Sequence, residues 1–141
     1  MNFLIIAAGL NILAVPPANW GDDDWSRFAN TIRQVETGGK PNSGLGCVGD
    51  GGKALGPFQI HECAFKDAQE YSEELRKYRY DKCLDDYELS KKVLIAYVSQ
   101  YNPKGNDDAG IMARIWNGGP KGYKKSSTFG YLGRFLRYFR K

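Results

Sequence analysis

The sequence predicts an α+β fold, mostly helical, with a small glycine-rich hairpin beside a helix that ends in a carboxylate. Three observations lead there. Apolar residues recur at helical spacing in several separate segments, glycines crowd one stretch between residues 37 and 53, and three Trp, nine Tyr and seven Phe furnish one core. At 141 residues, 42% hydrophobic and 26% charged, the chain has the size of one domain and the composition of an ordered one.

The opening "MNFLIIAAGLNILAVPPA" is an apolar run, Phe3 to Val15, too short for a membrane-spanning helix of ~20 residues. It reads as an export signal over residues 1–18, cut after Ala18, or as a poorly ordered or packed N-terminal segment. Residues 19–141 then form one domain, exported to the cell exterior. Asp22, Asp23 and Asp24 open the first helix, where carboxylates meet the positive helix end, and Trp25, Phe28, Ala29, Ile32 and Val35 follow at helical spacing. Thr37 to Lys53 is loop or short hairpin, and "ALGPFQIHE" is a turn leading into a helix from about Glu62 to Arg79. Further helices are expected over about Asp86–Tyr101, Asp107–Trp116 and Thr128–Phe139, separated by "NPKGNDD" and "NGGP".

Three cysteines, Cys47, Cys63 and Cys83, permit at most one internal disulfide, so stability is expected from packing. With no CxxC pair and one histidine, His61, no metal or other cofactor is expected. The net charge of +4 is modest and no recognition motif is present, so nucleic acid is not the expected partner.

Two carboxylates stand out. Glu36 lies eleven residues after Trp25, close to three helical turns, and so shares the apolar face of Trp25 and Ile32. A carboxyl there loses hydration and favours its neutral form, as general acid catalysis requires, while Gly38 and Gly39 leave room beside it. The alternative is an exposed helix-end carboxylate paired with Arg33 or Lys40. Asp50, in "GCVGDGGKALGPFQI", is flanked by glycines and expected to be open to water; it is a turn residue or the ionised partner of Glu36. Two carboxyls in contrasting environments suit cleavage of a glycosidic bond.

"VETGG", "GDGGKALGPFQI" and "ARIWNGGPKGY", in that order, together with "STFGYL", resemble the signature segments of invertebrate-type lysozymes over about Asp22 to Leu132. The resemblance implies a lysozyme-like fold and hydrolysis of the β-1,4 bond between N-acetylmuramic acid and N-acetylglucosamine in bacterial peptidoglycan, with bacteriolytic action. Glu36 matches the family's acid and Asp50 its nucleophile or stabiliser. Gln59 offers an amide to sugar groups, whereas Phe58 reads as core. Asn117, Gly118 and Gly119 present backbone to saccharide or simply end a helix. Trp116, where the family has histidine, stacks on a sugar or packs, and Tyr123 and Arg114 complete the candidate cleft. Some relatives have an isopeptidase activity attributed to a serine and a lysine flanking this glutamine segment. Ala54 and His61 occupy those positions, so that mechanism is not expected here. The rival readings are a lytic transglycosylase, which needs Glu36 alone, and a non-catalytic cationic protein that binds cell walls or membranes.

From Lys121 onward the chain has seven basic residues and no acidic one: Lys121, Lys124, Lys125, Arg134, Arg137, Arg140 and Lys141. They form a solvated helix face or an attraction to anionic cell-wall or membrane surfaces.

Overall fold

The computed structural model describes Pro17 and residues 19–140, so the leader read as an export signal lies almost wholly outside the described residues. Among the described residues, α1 (Asp22–Thr37) is followed by β1 (Val48–Gly49) and β2 (Ala54–Leu55). Then come α2 (Glu62–Tyr71), α3 (Tyr87–Tyr101), α4 (Ala109–Gly118) and α5 (Phe129–Phe139), with 3₁₀ turns between elements. No described helix is long and apolar enough to cross a membrane.

Helix α1 begins as its sequence requires. Asp22, Asp23 and Asp24 occupy its first turn, and Asp24 accepts the Gly21 N–H at 2.9 Å. Its apolar stripe of Trp25, Phe28, Ala29 and Ile32 is buried. Phe28 meets Phe135 of α5 with ring centroids 5.6 Å apart, and Arg27 donates to the Phe139 carbonyl while lying 4.0 Å above that ring. Fully buried side chains such as Ile32, Phe58, Leu94, Met112 and Ile115 tie the helices together, each stabilising the fold by roughly 1.5–3 kcal/mol. The three cysteines are free, so this packing replaces disulfides.

Two helix bounds differ from expectation. Helix α2 stops at Tyr71, not near Arg79, because Ser72 turns extended and the chain continues as 3₁₀ turns at Glu73–Lys77 and Tyr80–Leu84. The Gln69 amide donates to the carbonyls of Leu75 and Tyr78, both at 3.1 Å, and holds that turn in place. Helix α4 starts and ends two residues later than expected, at the same length. Asp108 is its cap rather than its second residue, accepting from Gly110 N–H at 2.8 Å, and the helix ends at Gly118, with Gly119 as the cap.

The hairpin is antiparallel, pairing Val48 with Leu55 and Gly49 with Ala54. A second tight turn, Gly56 to Gln59, brings Ile60 back against Leu55 through reciprocal hydrogen bonds of 2.9 and 3.1 Å. Phe58 is buried at this turn and packs on Tyr87 of α3 at 5.4 Å, while Tyr80 donates to the Ile60 carbonyl at 2.7 Å. The second strand thus lies inside the segment read from sequence as a turn.

Gly56 has φ +75, and a Cβ there would lie 1.9 Å from the Cys83 carbonyl oxygen. Gly56→Ala should lower stability in urea denaturation by roughly 2 kcal/mol or more. Gly133→Ala, at an open position in α5, should raise it by up to about 1 kcal/mol.

Candidate active site

A groove of about 360 Å³ runs between the end of α1 and the hairpin. Glu36, Trp116, Asn117 and Gly119 line it from α1 and the end of α4. Asp50, Ala54, Gln59 and His61 line it from the hairpin, and Cys63, Ala64 and Tyr97 complete it from α2 and α3.

Glu36 sits in the last turn of α1, and the helix is closed by Gly38 in left-handed conformation (φ 64), whose N–H bonds the Gln34 carbonyl at 2.9 Å. The carboxyl is not paired with Arg33, which instead bonds Asn30. It is partly buried, and Tyr131 of α5 donates its hydroxyl to Oε2 at 2.7 Å. Burial raises the Glu36 pKa from 4.5 to about 7. The Tyr131 bond, the charge of Arg134 and the indole N–H of Trp116 each pull it back, but less strongly. A group with this pKa is poised to hold and release a proton near neutrality.

Asp50 heads the turn between β1 and β2. It takes φ 48, followed by Gly51 at φ 61 and Gly52 at φ 96, and this succession of left-handed residues tightly reverses the chain. Aspartate tolerates that conformation better than most residues, and the glycines enter it freely. Its side chain is 65% exposed, and Oδ2 lies 3.5 Å from His61 Nε2. The two carboxyls therefore differ as the sequence reading supposed, one shielded and one in water.

Gln59 lines the groove at φ 52, and its amide nitrogen donates to the carbonyls of Gly56 at 3.0 Å and Cys47 at 3.4 Å. Those bonds brace the hairpin, so its donors are already engaged. Trp116 faces the groove and also packs, with its ring edge-on to Tyr97 at 5.5 Å. Three candidates are not brought to the groove. The Gly118 carbonyl accepts from Lys125 Nζ at 2.7 Å, and Thr128 fills the space beside it. Tyr123 packs partly buried against the core under Lys124. Arg114 bonds Thr128 Oγ1 at 2.7 Å and stacks on Phe129.

Sequence reasoning missed Tyr131 and the role of His61. Tyr131 stands 95 residues from Glu36, and the only local signal is its spacing of four from Phe135, which reads as core. His61 meets Asp50 because two successive tight turns fold the segment back, which no residue spacing states.

The fold is lysozyme-like. A chain in the crystal structure of Aeromonas hydrophila PliI in complex with Meretrix lusoria lysozyme matches it with TM-score 0.62 at 27% identity, over 79% of this chain and 87% of that one. Invertebrate-type lysozyme 6 of Caenorhabditis elegans is 32% identical over 95 residues, covering 62% of this chain and 69% of the relative. Lysozyme of Ostrea edulis is 33% identical over 90 residues, covering 62% of each. The Destabilase family model matches residues 30–137, and the chain belongs to that family as an enzyme of the invertebrate-type lysozyme kind.

Because the Glu36 pKa is raised on folding, the stability linked to it is fully present below about pH 4.5 and is lost as pH rises through about 7. Glu36→Gln should therefore be more stable than wild type at pH 8 by roughly 3 kcal/mol, an advantage that disappears at pH 4. Urea unfolding at the two pH values measures this.

Proposed function

We propose that the chain is a muramidase that hydrolyses the β-1,4 bond between N-acetylmuramic acid and N-acetylglucosamine in bacterial peptidoglycan. Glu36 protonates the leaving glycosidic oxygen. Asp50, across the groove, attacks or stabilises the cationic sugar, and water completes the turnover. The observation that carries this reading is a carboxyl shielded from water, with pKa about 7, in one groove with an exposed second carboxyl. The names of the two lysozyme relatives support the substrate class.

Asn117, Gly119 and Trp116 provide side-chain and backbone contacts for the saccharide along one wall, and Gln59 shapes the other. Residues 19–141 act as one catalytic domain outside the cell. Exposed Lys121, Lys124, Lys125, Arg134, Arg137 and Arg140 favour approach to anionic bacterial walls. A lytic transglycosylase using Glu36 alone is the second reading, favoured by the His61 contact that competes for Asp50.

Mass spectrometry of products from purified peptidoglycan separates these readings. Wild type should release reducing muropeptides, and both Glu36→Gln and Asp50→Asn should lower that release by roughly 100-fold or more. Anhydro-muropeptides, with Asp50→Asn still active, would establish the transglycosylase. Binding to walls without any product would remove the catalytic reading.

A further inference from the structure

Tyr131 is 4% exposed, its ring held in the core formed by α1, α4 and α5. A phenol in that setting needs a partner for its hydroxyl, and the partner is Oε2 of Glu36 at 2.7 Å. Burial and the neighbouring carboxylate push the Tyr131 pKa well above the ordinary tyrosine value, so the hydroxyl remains protonated and remains a donor across the working range of Glu36. The Trp116 indole, which can only donate, is the other polar group acting on the carboxyl from beside it. In a neutral carboxyl the carbonyl oxygen is the better acceptor, so a phenol donating to Oε2 favours the form with the proton on Oε1. The indole cannot accept that proton, and the phenol oxygen faces Oε2 rather than Oε1. The proton stays available to an acceptor in the groove.

We propose that Tyr131 is the positioning residue of the acid, its hydroxyl holding Oε2 of Glu36 so that the transferable proton is carried on Oε1. The proposal rests on the reading of Glu36 as general acid. The groups facing Glu36 are few. Tyr131 and Arg134 come from α5, Trp116 from α4 and Tyr97 from α3, while Cys63 on α2 and Asp50 with His61 on the hairpin border the same groove. Of these, Tyr131, Arg134 and Trp116 act on the carboxyl strongly enough to shift it, and all three favour its ionised form.

Tyr131→Phe deletes one oxygen and keeps the packed ring. On soluble peptidoglycan fragments it should lower kcat about 10-fold or more with KM nearly unchanged, the effect of losing a hydrogen bond to an ionisable partner. The alkaline limb of its pH–rate profile should move upward, because a bond that favours the ionised carboxyl is gone. Incorporating 3-fluorotyrosine at position 131 keeps the shape and strengthens the donor. It should move the same limb downward, and it provides the test even if the phenylalanine variant does not fold. A purely structural tyrosine would lower the unfolding midpoint without moving either limb, and unmoved limbs would overturn the proposal. Glu36→Gln run in parallel separates the two failures. If that variant stays active, Glu36 is not the acid; if it is inactive while both limbs stay in place, only the positioning role falls.

Discussion

A carboxyl group kept from water at the end of a helix is the constraint around which the rest of this structure is arranged. Left to solvent, Glu36 would be an ordinary ionised side chain. Packing α5 across α1 and setting Trp116 beside the carboxyl removes its water, and hydration is what the charged form needs most. The donors that replace water compensate only in part, so the group sits near neutrality rather than in the usual acidic range. Such an arrangement is unfavourable for folding at neutral pH. It is maintained by apolar contact elsewhere, chiefly the Phe28–Phe135 and Tyr97–Trp116 ring pairs and the buried aliphatic side chains between them.

The hairpin supplies the opposite environment with very little structure. Two residue pairs make the ladder, too few to stand alone in water. Its support comes from outside: Phe58 inserted against Tyr87, the Tyr80 hydroxyl on the Ile60 and Lys53 carbonyls, and the Gln59 amide bridging Cys47 and Gly56. Gln59 thus contributes to the groove first as a brace. By holding both arms of the loop, it sets where Asp50 and His61 meet. A short, externally anchored turn can present a carboxylate to solvent while its backbone remains fixed, and this is the setting a nucleophile or ion-stabilising group requires.

Most of the fold was legible because helical periodicity is a local property. The stripe from Trp25 to Ile32 and the acidic start at Asp22 to Asp24 could each be read within a few residues. The early end of α2 was not, since it depends on Gln69 reaching carbonyls six and nine residues ahead, which periodicity does not encode. At the site, residue type and neighbouring glycines drew attention to Glu36 and Asp50 but left a paired helix-end carboxylate and a turn residue as alternatives; the resemblance of the three motifs singled the pair out. Tyr131 was hidden because an aromatic at core spacing gives no sign that its polar tip faces a carboxyl. Gly118, Tyr123 and Arg114 were misplaced for a related reason. Proximity in sequence to Trp116 and Asn117 carried no information about which way the chain turns after α4, and there it turns inward onto Thr128.

The hydrogen bond between Glu36 and Tyr131 joins points 95 residues apart, and this bears on when the molecule acquires its chemistry. During synthesis α1 emerges early, and until α5 has been made and has docked, Glu36 is a solvated carboxylate with no special acidity. A partly translated or C-terminally clipped chain that lacks α5 therefore contains both carboxylates but not the Tyr131 contact that shields Glu36. If Glu36 is the acid as proposed, catalytic competence arrives with the last helix, so enzymatic activity reports on complete folding of the chain and not merely on the presence of its signature residues.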